Sequence, residues 1–446
     1  MNVTMSKTIP FSEPPWLTGL PSPYYTASHR AFQSAARAFI TEHLHAHALE
    51  WENLESVPDS VFQTFAASNM LLPNLPSPLP ISWLHSLGIS SILGVPIAEW
   101  DYLHTLIYVD ELNRSGLVGP PAAITAGFAF GLPPLLHFGS QTLHQKFLPD
   151  LLTGKKRICI AITEPGTGSD VAGIETVAEE SADGKSYVVN GSKKWITNGI
   201  WCDYAAMAVR TGASNSGARG LSMLVVPLKG QDGVTMRKID TGGSKSSGTT
   251  FIELEDVHVP AENLIGKEGQ GMSIIMTNFN HERLTIAIGA TRQARVALSS
   301  AFEYCLQREA FGKPLMELGV VRHRLAKAGA LLESQWAWIE QFCYQMTRME
   351  KPQADKELGG LTALCKAQAG MVLDECARCA VLLFGGNGYT RTGKGELVQK
   401  LYSEVPGARV PGGSEDVLLD LAVRQLVKNF QNATKGLQRP SASSKL

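Results

Sequence analysis

The chain has 446 residues, 44% of them hydrophobic and 18% charged, too long for one ordinary core and suited to a globular protein of two or three domains. A net charge of −1 and a pI near 6.8 exclude the global basic field of a nucleic-acid-binding chain. No apolar run stands out as long enough to span a bilayer without charges, and seven scattered cysteines read as reduced intracellular thiols rather than a disulfide framework.

In chain order, residues 1–24 are Pro-rich and predict an extended arm. Helical periodicity runs from Tyr25 to Ala48, where His43 and His47 stand one turn apart on a face read as solvated rather than metal-binding. Residues 72–98 are irregular. Glu99–Arg114, Ala122–Phe138 and Gln141–Leu152 predict further helices, completing a helical N-terminal domain (25–157) that walls a cleft. From Cys159 to Pro260 short alternating runs predict a β-domain (158–268), and a bundle of long helices follows (269–430): Met272–Ala310, Val320–Glu350, Lys356–Phe384 and Asp416–Phe430. Cys376 and Cys379 form a CxxC inside a helical pattern, without the second pair a zinc site needs. Gly266, Gly269 and Gly271 lack a surrounding βαβ unit, so no nicotinamide cofactor is expected. Residues 431–446 form a tail.

The most informative stretch is Ile160 to Gly173. An apolar strand breaks at Pro165 into a loop in which Gly166 and Gly168 allow close approach of a ligand. Thr163, Thr167 and Ser169 add hydroxyls, and backbone N–H groups could cradle a phosphate or a flat cofactor. Strands over Ile174–Glu180 and Tyr187–Val189 are joined at Asp183-Gly184, and Asn190-Gly191 predicts a second hairpin. The meander brings Trp195, Ile196 and Thr197 beside the first loop, where an indole can pack on a flat ring.

These residues carry a resemblance. TEPGTGSDVAG followed by NGSKKWITNG resembles the flavin-binding signature of the acyl-CoA dehydrogenases. The resemblance spans residues 25–430 and implies an α+β fold: a helical N-terminal domain, a middle β-barrel and a C-terminal four-helix bundle. It implies FAD held by Ile160, Ile162, Thr163, Gly168, Ser169, Trp195, Ile196 and Thr197. Arg308 and Phe311 in QREAFGK, and Gly385 and Gly386 in FGGNG, resemble residues that reach the cofactor of a neighbouring subunit. Hence a homo-oligomer is expected, a dimer at least and a dimer of dimers by analogy. Leu382 stands where a glutamine is common.

Most relatives carry the catalytic base in a late Tyr-Glu-Gly-Thr-Ser-Glu loop. Here that loop is Val410-Pro411-Gly412-Gly413-Ser414-Glu415, with proline at the position of the base and Gly413 at that of a threonine. Glu282-Arg283 instead resembles the isovaleryl- and long-chain-type branch, whose glutamate lies on the first long C-terminal helix. Glu282 is therefore the implied base, and Gly413 and Glu415 lie near the flavin. Ser169, Arg283 and Gly412 are the implied acyl-CoA contacts. Proline has no N–H, so if Pro411 stands at the donor position that the resemblance implies, either Gly412 supplies the donor to the thioester oxygen or the geometry differs.

The resemblance implies α,β-dehydrogenation of an acyl-CoA to the trans-2-enoyl-CoA. An oxidase using O2 is the alternative, and a non-catalytic relative the remoter one. The electron acceptor, electron-transfer flavoprotein or O2, is left open. Ser444-Lys445-Leu446 is a peroxisomal address, and the first residues lack a presequence pattern. Both features resemble fungal enzymes of fatty-acid or toxin-precursor pathways.

Overall fold

The computed structural model describes residues 8–434. The N-terminal segment is not a free arm. Arg292 Nη1 donates to Ser12 O at 3.0 Å, and Arg295 Nη1 donates to Phe11 O and Glu13 O at 3.1 Å. Trp16 is buried and stacks on Tyr25 at 3.9 Å. Two buried guanidiniums from the bundle thus hold a segment that composition alone marks as extended.

The N-terminal helices are α1 (Ala27–His43), α2 (Ala48–Asn53), α3 (Asp59–Ala67) and α4 (Ile81–Ser86). A small hairpin follows, β1 (Ser91–Ile92) with β2 (Val95–Pro96), then α5 (Tyr102–Leu112). Capping boxes start α1 at Thr26 with His29, and α5 at Asp101 with His104. The two caps meet: His29 Nε2 lies 3.1 Å and His104 Nδ1 2.9 Å from Asp101 Oδ1. This trio has metal-ligand spacing, and reciprocal capping accounts for it. His43 and His47 keep to the solvated side, 34% and 54% exposed.

Next come α6 (Gly119–Ala126), a π-turn (Gly127–Gly131), α7 (Leu132–Phe138) and α8 (Gln141–Leu152). By length and composition Gly119–Phe138 could cross a membrane, contrary to the sequence reading, but 72% of its most apolar 18-residue window is buried inside the protein. It serves as core, wedged against the sheet.

The middle domain is one eight-stranded sheet: β3 (Ile158–Ala161), β4 (Val177–Glu180), β5 (Ser186–Ile196), β6 (Tyr204–Arg210), β7 (Leu221–Pro227), β8 (Val234–Lys238), β9 (Thr250–Pro260) and β10 (Leu264–Ile265). The order is β10-β7-β6-β4-β5-β9-β8, with β3 paired in parallel to β6. Its end strands β10 and β8 are not hydrogen-bonded to each other, so the expected barrel is a wrapped sheet around an apolar interior that includes Val189, Met207, Val226 and Ile252. The Asn190-Gly191 hairpin does not form. β5 runs straight through it as a bulge against β9. Asn190 donates to Asp256 Oδ1 at 3.1 Å and accepts from Asp256 N at 2.7 Å. Gly191, at φ 145, lies where a Cβ would meet the Thr176 backbone at 2.7 Å. Pairing with a third strand outweighs the local turn signal.

The C-terminal domain comprises α9 (Gly271–Thr277), α10 (Phe279–Gln307), a hairpin β11 (Glu309–Ala310) with β12 (Lys313–Pro314), α11 (Gly319–Arg348), α12 (Lys351–Phe384), α13 (Gly386–Tyr389), α14 (Glu396–Arg409) and α15 (Glu415–Thr434). α12 is central and packs on α10, α11, α14 and α15. The single long helix expected from Met272 onward is broken at Asn278, and α14 escaped the sequence reading. Cys376 and Cys379 are buried on α12, their thiols turned to Ala328 O and Arg324 O of α11.

Candidate active site

The loop after β3 is closed by a buried pair that the sequence reading missed. Lys193 Nζ lies 2.7 Å from Glu164 Oε1 and donates to Ile162 O at 3.1 Å. Glu164 also accepts the N–H groups of Glu175 (2.7 Å) and Thr176 (3.0 Å). Burial alone would raise the Glu164 carboxyl, but Lys193 and these donors hold it below its ordinary range. Alternation would assign a lysine in a strand to the solvated face, so nothing local marked Lys193.

With its base cinched, the loop presents Gly168 and Ser169 to solvent. The hydroxyls of Thr163, Ser169 and Thr197 make no hydrogen bond among the described residues. Ile160, Ile162, Thr163 and Thr197 are half-buried; Ile196 is buried in the sheet interior, leaving only its backbone to a ligand. Trp195 is 49% exposed at φ 60, a strained conformation for a bulky residue of the kind held at ligand sites.

Glu282 is half-buried on the first turn of α10. Desolvation pushes its carboxyl up to about 7, opposed by the Asn278 amide and by Arg283. Asn278 Nδ2 donates to Glu282 Oε1 at 2.9 Å and to Ala129 O in the π-turn at 3.0 Å. That turn lies against β3, since a Cβ on Gly127 would meet Ile158 O at 2.2 Å. The strand feeding the loop and the helix carrying Glu282 are therefore joined through a single turn of backbone.

Ile286 is one helical turn beyond Glu282, on the same face. A Cβ on Gly412 would meet Ile286 Cδ1 at 2.5 Å, so the late loop lies over this face. Gly412 and Gly413 have φ of 69 and 97, conformations that favour glycine. Pro411 is exposed, and the Gly412 N–H has no acceptor among the described residues. From below, buried Lys366 on α12 donates to Arg409 O (3.2 Å) and Gly413 O (2.8 Å); desolvation brings its ammonium down to about 8. Sequence pattern did not single it out. Arg283 turns away from this face: it is buried, donates to Gly359 O of α12 at 3.2 Å and covers the Phe279 ring. Glu415 is held by Arg409 through two contacts of 2.7 Å.

The remaining predicted residues lie elsewhere. Arg308 follows α10, 26 residues and about 40 Å along the helix from Glu282. Its side chain is exposed without a partner among the described residues. Phe311, 89% exposed at φ 55, tips the two-residue turn between β11 and β12. Gly385 and Gly386 are exposed nearby, tied to the end of α10 by Asn387 Nδ2 donating to Tyr304 OH at 3.1 Å. Thus one group is tied to Glu282 through the π-turn and the late loop, and a second sits at the far end of the bundle.

This arrangement, with its strand-loop, helix-borne glutamate and late loop, is matched by known proteins. Residues 159–257 match the family pattern "Acyl-CoA dehydrogenase, middle domain" and residues 269–427 "Acyl-CoA dehydrogenase, C-terminal domain". The chain is 65% identical over 430 residues to "Acyl-CoA dehydrogenase apdG" of Emericella nidulans, covering 96% of this chain and 98% of that one. The chain belongs to the acyl-CoA dehydrogenase family. "Acyl-CoA dehydrogenase AFT10-1" of Alternaria alternata is 35% identical over 96% of this chain and 98% of its own. A crystal structure of a putative acyl-CoA dehydrogenase from Mycobacterium smegmatis is 29% identical and superposes with a TM-score of 0.80, covering 91% of this chain and 99% of that one. As a member, this acyl-CoA dehydrogenase is an FAD-dependent oxidoreductase. The residues present fit FAD: unpartnered hydroxyls at Thr163, Ser169 and Thr197, an outward-held indole at Trp195, and open space where a Cβ on Gly166 or Gly168 would stand.

Proposed function

We propose that this chain dehydrogenates an acyl-CoA thioester to its trans-2-enoyl-CoA, with Glu282 as the base. The observation carrying this reading is the Glu282 carboxyl, raised to about 7 by desolvation on the helix whose next turn, at Ile286, lies against Gly412, whose N–H has no acceptor among the described residues. An α-proton beside a thioester is weakly acidic, so its removal needs a base matched to neutral pH and a donor for the oxygen that gains charge. Glu282 takes that proton. The Gly412 N–H donates to the thioester oxygen, replacing a donor that Pro411 lacks. Trp195, Thr163 and Thr197 would hold and orient FAD, which when bound would supply a hydride acceptor for the β-carbon. Glu282→Gln keeps the shape without the basicity. It should retain FAD and bind acyl-CoA, while anaerobic single-turnover flavin reduction slows by about 10²–10⁴-fold; unchanged reduction would remove Glu282 from the role.

Arg308, Phe311, Gly385 and Gly386 are too far from Glu282 to serve the same cofactor in one chain. Their exposure supports a homo-oligomer in which they complete a neighbour's FAD site, as a dimer or a dimer of dimers. Ser444-Lys445-Leu446 lies outside the described residues. On its sequence it supports peroxisomal import, and deleting it should leave the protein in the cytosol. A peroxisomal setting favours O2 as electron acceptor, the reading of the chain as an oxidase. Hydrogen peroxide formed in stoichiometric yield with enoyl-CoA, without electron-transfer flavoprotein, would establish that reading.

A further inference from the structure

The break between α9 and α10 occurs at Asn278, and this residue does not cap the helix it starts. Its amide is used elsewhere. Nδ2 carries two hydrogens: one goes to Ala129 O at 3.0 Å and the other to Glu282 Oε1 at 2.9 Å. Both partners are acceptors, which settles the amide orientation, because the flipped form would set the Asn278 oxygen against two oxygens. Asn278 itself is 4% exposed. Ala129 lies in the π-turn, where the interrupted helical ladder lets a carbonyl accept from outside its own helix; such turns recur at functional sites.

Resting on the reading of Glu282 as base, we infer that Asn278 is a positioning residue. It clamps Glu282 Oε1 to the π-turn, so that Oε2 is the oxygen that takes the α-proton and the carboxylate is favoured over the acid. A charge-assisted bond from a neutral amide is strongest to the ionised acceptor. Protonation therefore occurs on the unclamped oxygen, and the bond weakens as it does. Arg283, on the same helix, is the one charged group acting on Glu282 among the described residues, and it is turned to Gly359 of α12. The π-turn Gly127-Phe128-Ala129-Phe130-Gly131 brings no ionisable side chain. The late loop lies with Gly412 against Ile286, one turn beyond Glu282, while Glu415 is held by Arg409 and Lys366 by backbone carbonyls. Removing the amide thus leaves no second donor to take its place.

The test reads the carboxyl directly. In the FAD-loaded enzyme, the protonated-carboxyl stretch that disappears in Glu282→Gln is titrated by infrared difference spectroscopy. In Asn278→Ala its midpoint should rise by about one unit or more, the usual worth of a hydrogen bond to a charged group. Asn278→Asp, the isosteric variant that guards against misfolding of the alanine form, should raise it further, because it removes the donor and sets a second carboxylate beside Glu282. Anaerobic flavin reduction by octanoyl-CoA should show its acid limb displaced upward by the same amount, with FAD retained. A midpoint unmoved in both variants overturns the inference, whether or not FAD is lost. Failure of the base assignment reads differently: Glu282→Gln would still reduce flavin while the carboxyl midpoint moved as expected.

Discussion

Glu282 combines two demands that conflict in water, basicity at neutral pH and readiness to lose the proton again. Burial supplies the first by penalising the charged form, and the Asn278 donor and the Arg283 charge keep the shift moderate. In the free enzyme the carboxylate must be ionised to act, so kcat/KM should fall about tenfold per pH unit below about 7 and level off above it. The stability linkage has the opposite sense. A carboxyl raised from 4.5 to about 7 contributes stability fully present below 4.5 and lost as pH rises through 7. Glu282→Gln should therefore be more stable than the parent at pH 8, by about 1–3 kcal/mol, and the two should converge in thermal melts toward pH 5. Gly412 gives a second prediction at this scale. Alanine there would be strained at φ 69 and would press its Cβ on Ile286. Since small misplacements cost about 10²-fold, Gly412→Ala should slow flavin reduction by about that factor with FAD occupancy retained.

Two elements, α10 and the late loop, meet at Ile286 and Gly412, and α12 holds the loop from below. Lys366 reaches from α12 to carbonyls on both sides of Val410–Gly412. A buried ammonium without a bonded carboxylate is costly, and its ordinary range is lowered to match. Lys366→Met relieves that cost while leaving two carbonyls unpaired, effects of similar size and opposite sign. Stability should change by less than about 2 kcal/mol. Acyl-CoA turnover should fall at least tenfold, because the loop no longer holds the Gly412 N–H in place. A melting point that collapses in parallel with activity would instead make Lys366 a purely structural lysine.

At the scale of the whole molecule, a buried carboxylate joins the three domains. Glu404 of α14 accepts from Val118 N (3.3 Å), Ser244 N (3.2 Å) and Gln293 Nε2 (2.6 Å). Beside it, buried Glu52 accepts from Lys245 N, Ser246 N and Ser246 Oγ. Burial, and then the nearness of Glu52, push Glu404 up to about 8. Its contribution to stability is therefore complete below 4.5 and is lost as pH rises through about 8. The parent should melt progressively lower between pH 6 and 9. Glu404→Gln should show a flatter profile, starting about 1–3 kcal/mol lower at pH 6 because its amide N–H faces other donors. The far group around Arg308 and Phe311, both exposed, belongs to this scale too, and its proposed use beside a second copy of the chain is checked by the oligomeric state in solution.

The sequence by itself determined the family and the α+β fold and marked the loop after β3 and Glu282 as candidates, because each is a local pattern: a strand broken by Pro165 and small residues, a meander, a glutamate before an arginine on a long helix. What it left undecided depends on partners distant in the chain. Asn190-Gly191 reads as a hairpin until β9 pairs with β5 on both sides of that dipeptide. Arg283 reads as a cleft residue until Gly359 takes its guanidinium. Nothing local singles out Lys193, Lys366 or Asn278, whose partners (Glu164, the late-loop carbonyls and Ala129) reach them only in the fold. Buried polar groups are satisfied by whatever the fold places within about 3 Å, and residues separated by tens or hundreds of positions reach that distance only through tertiary packing.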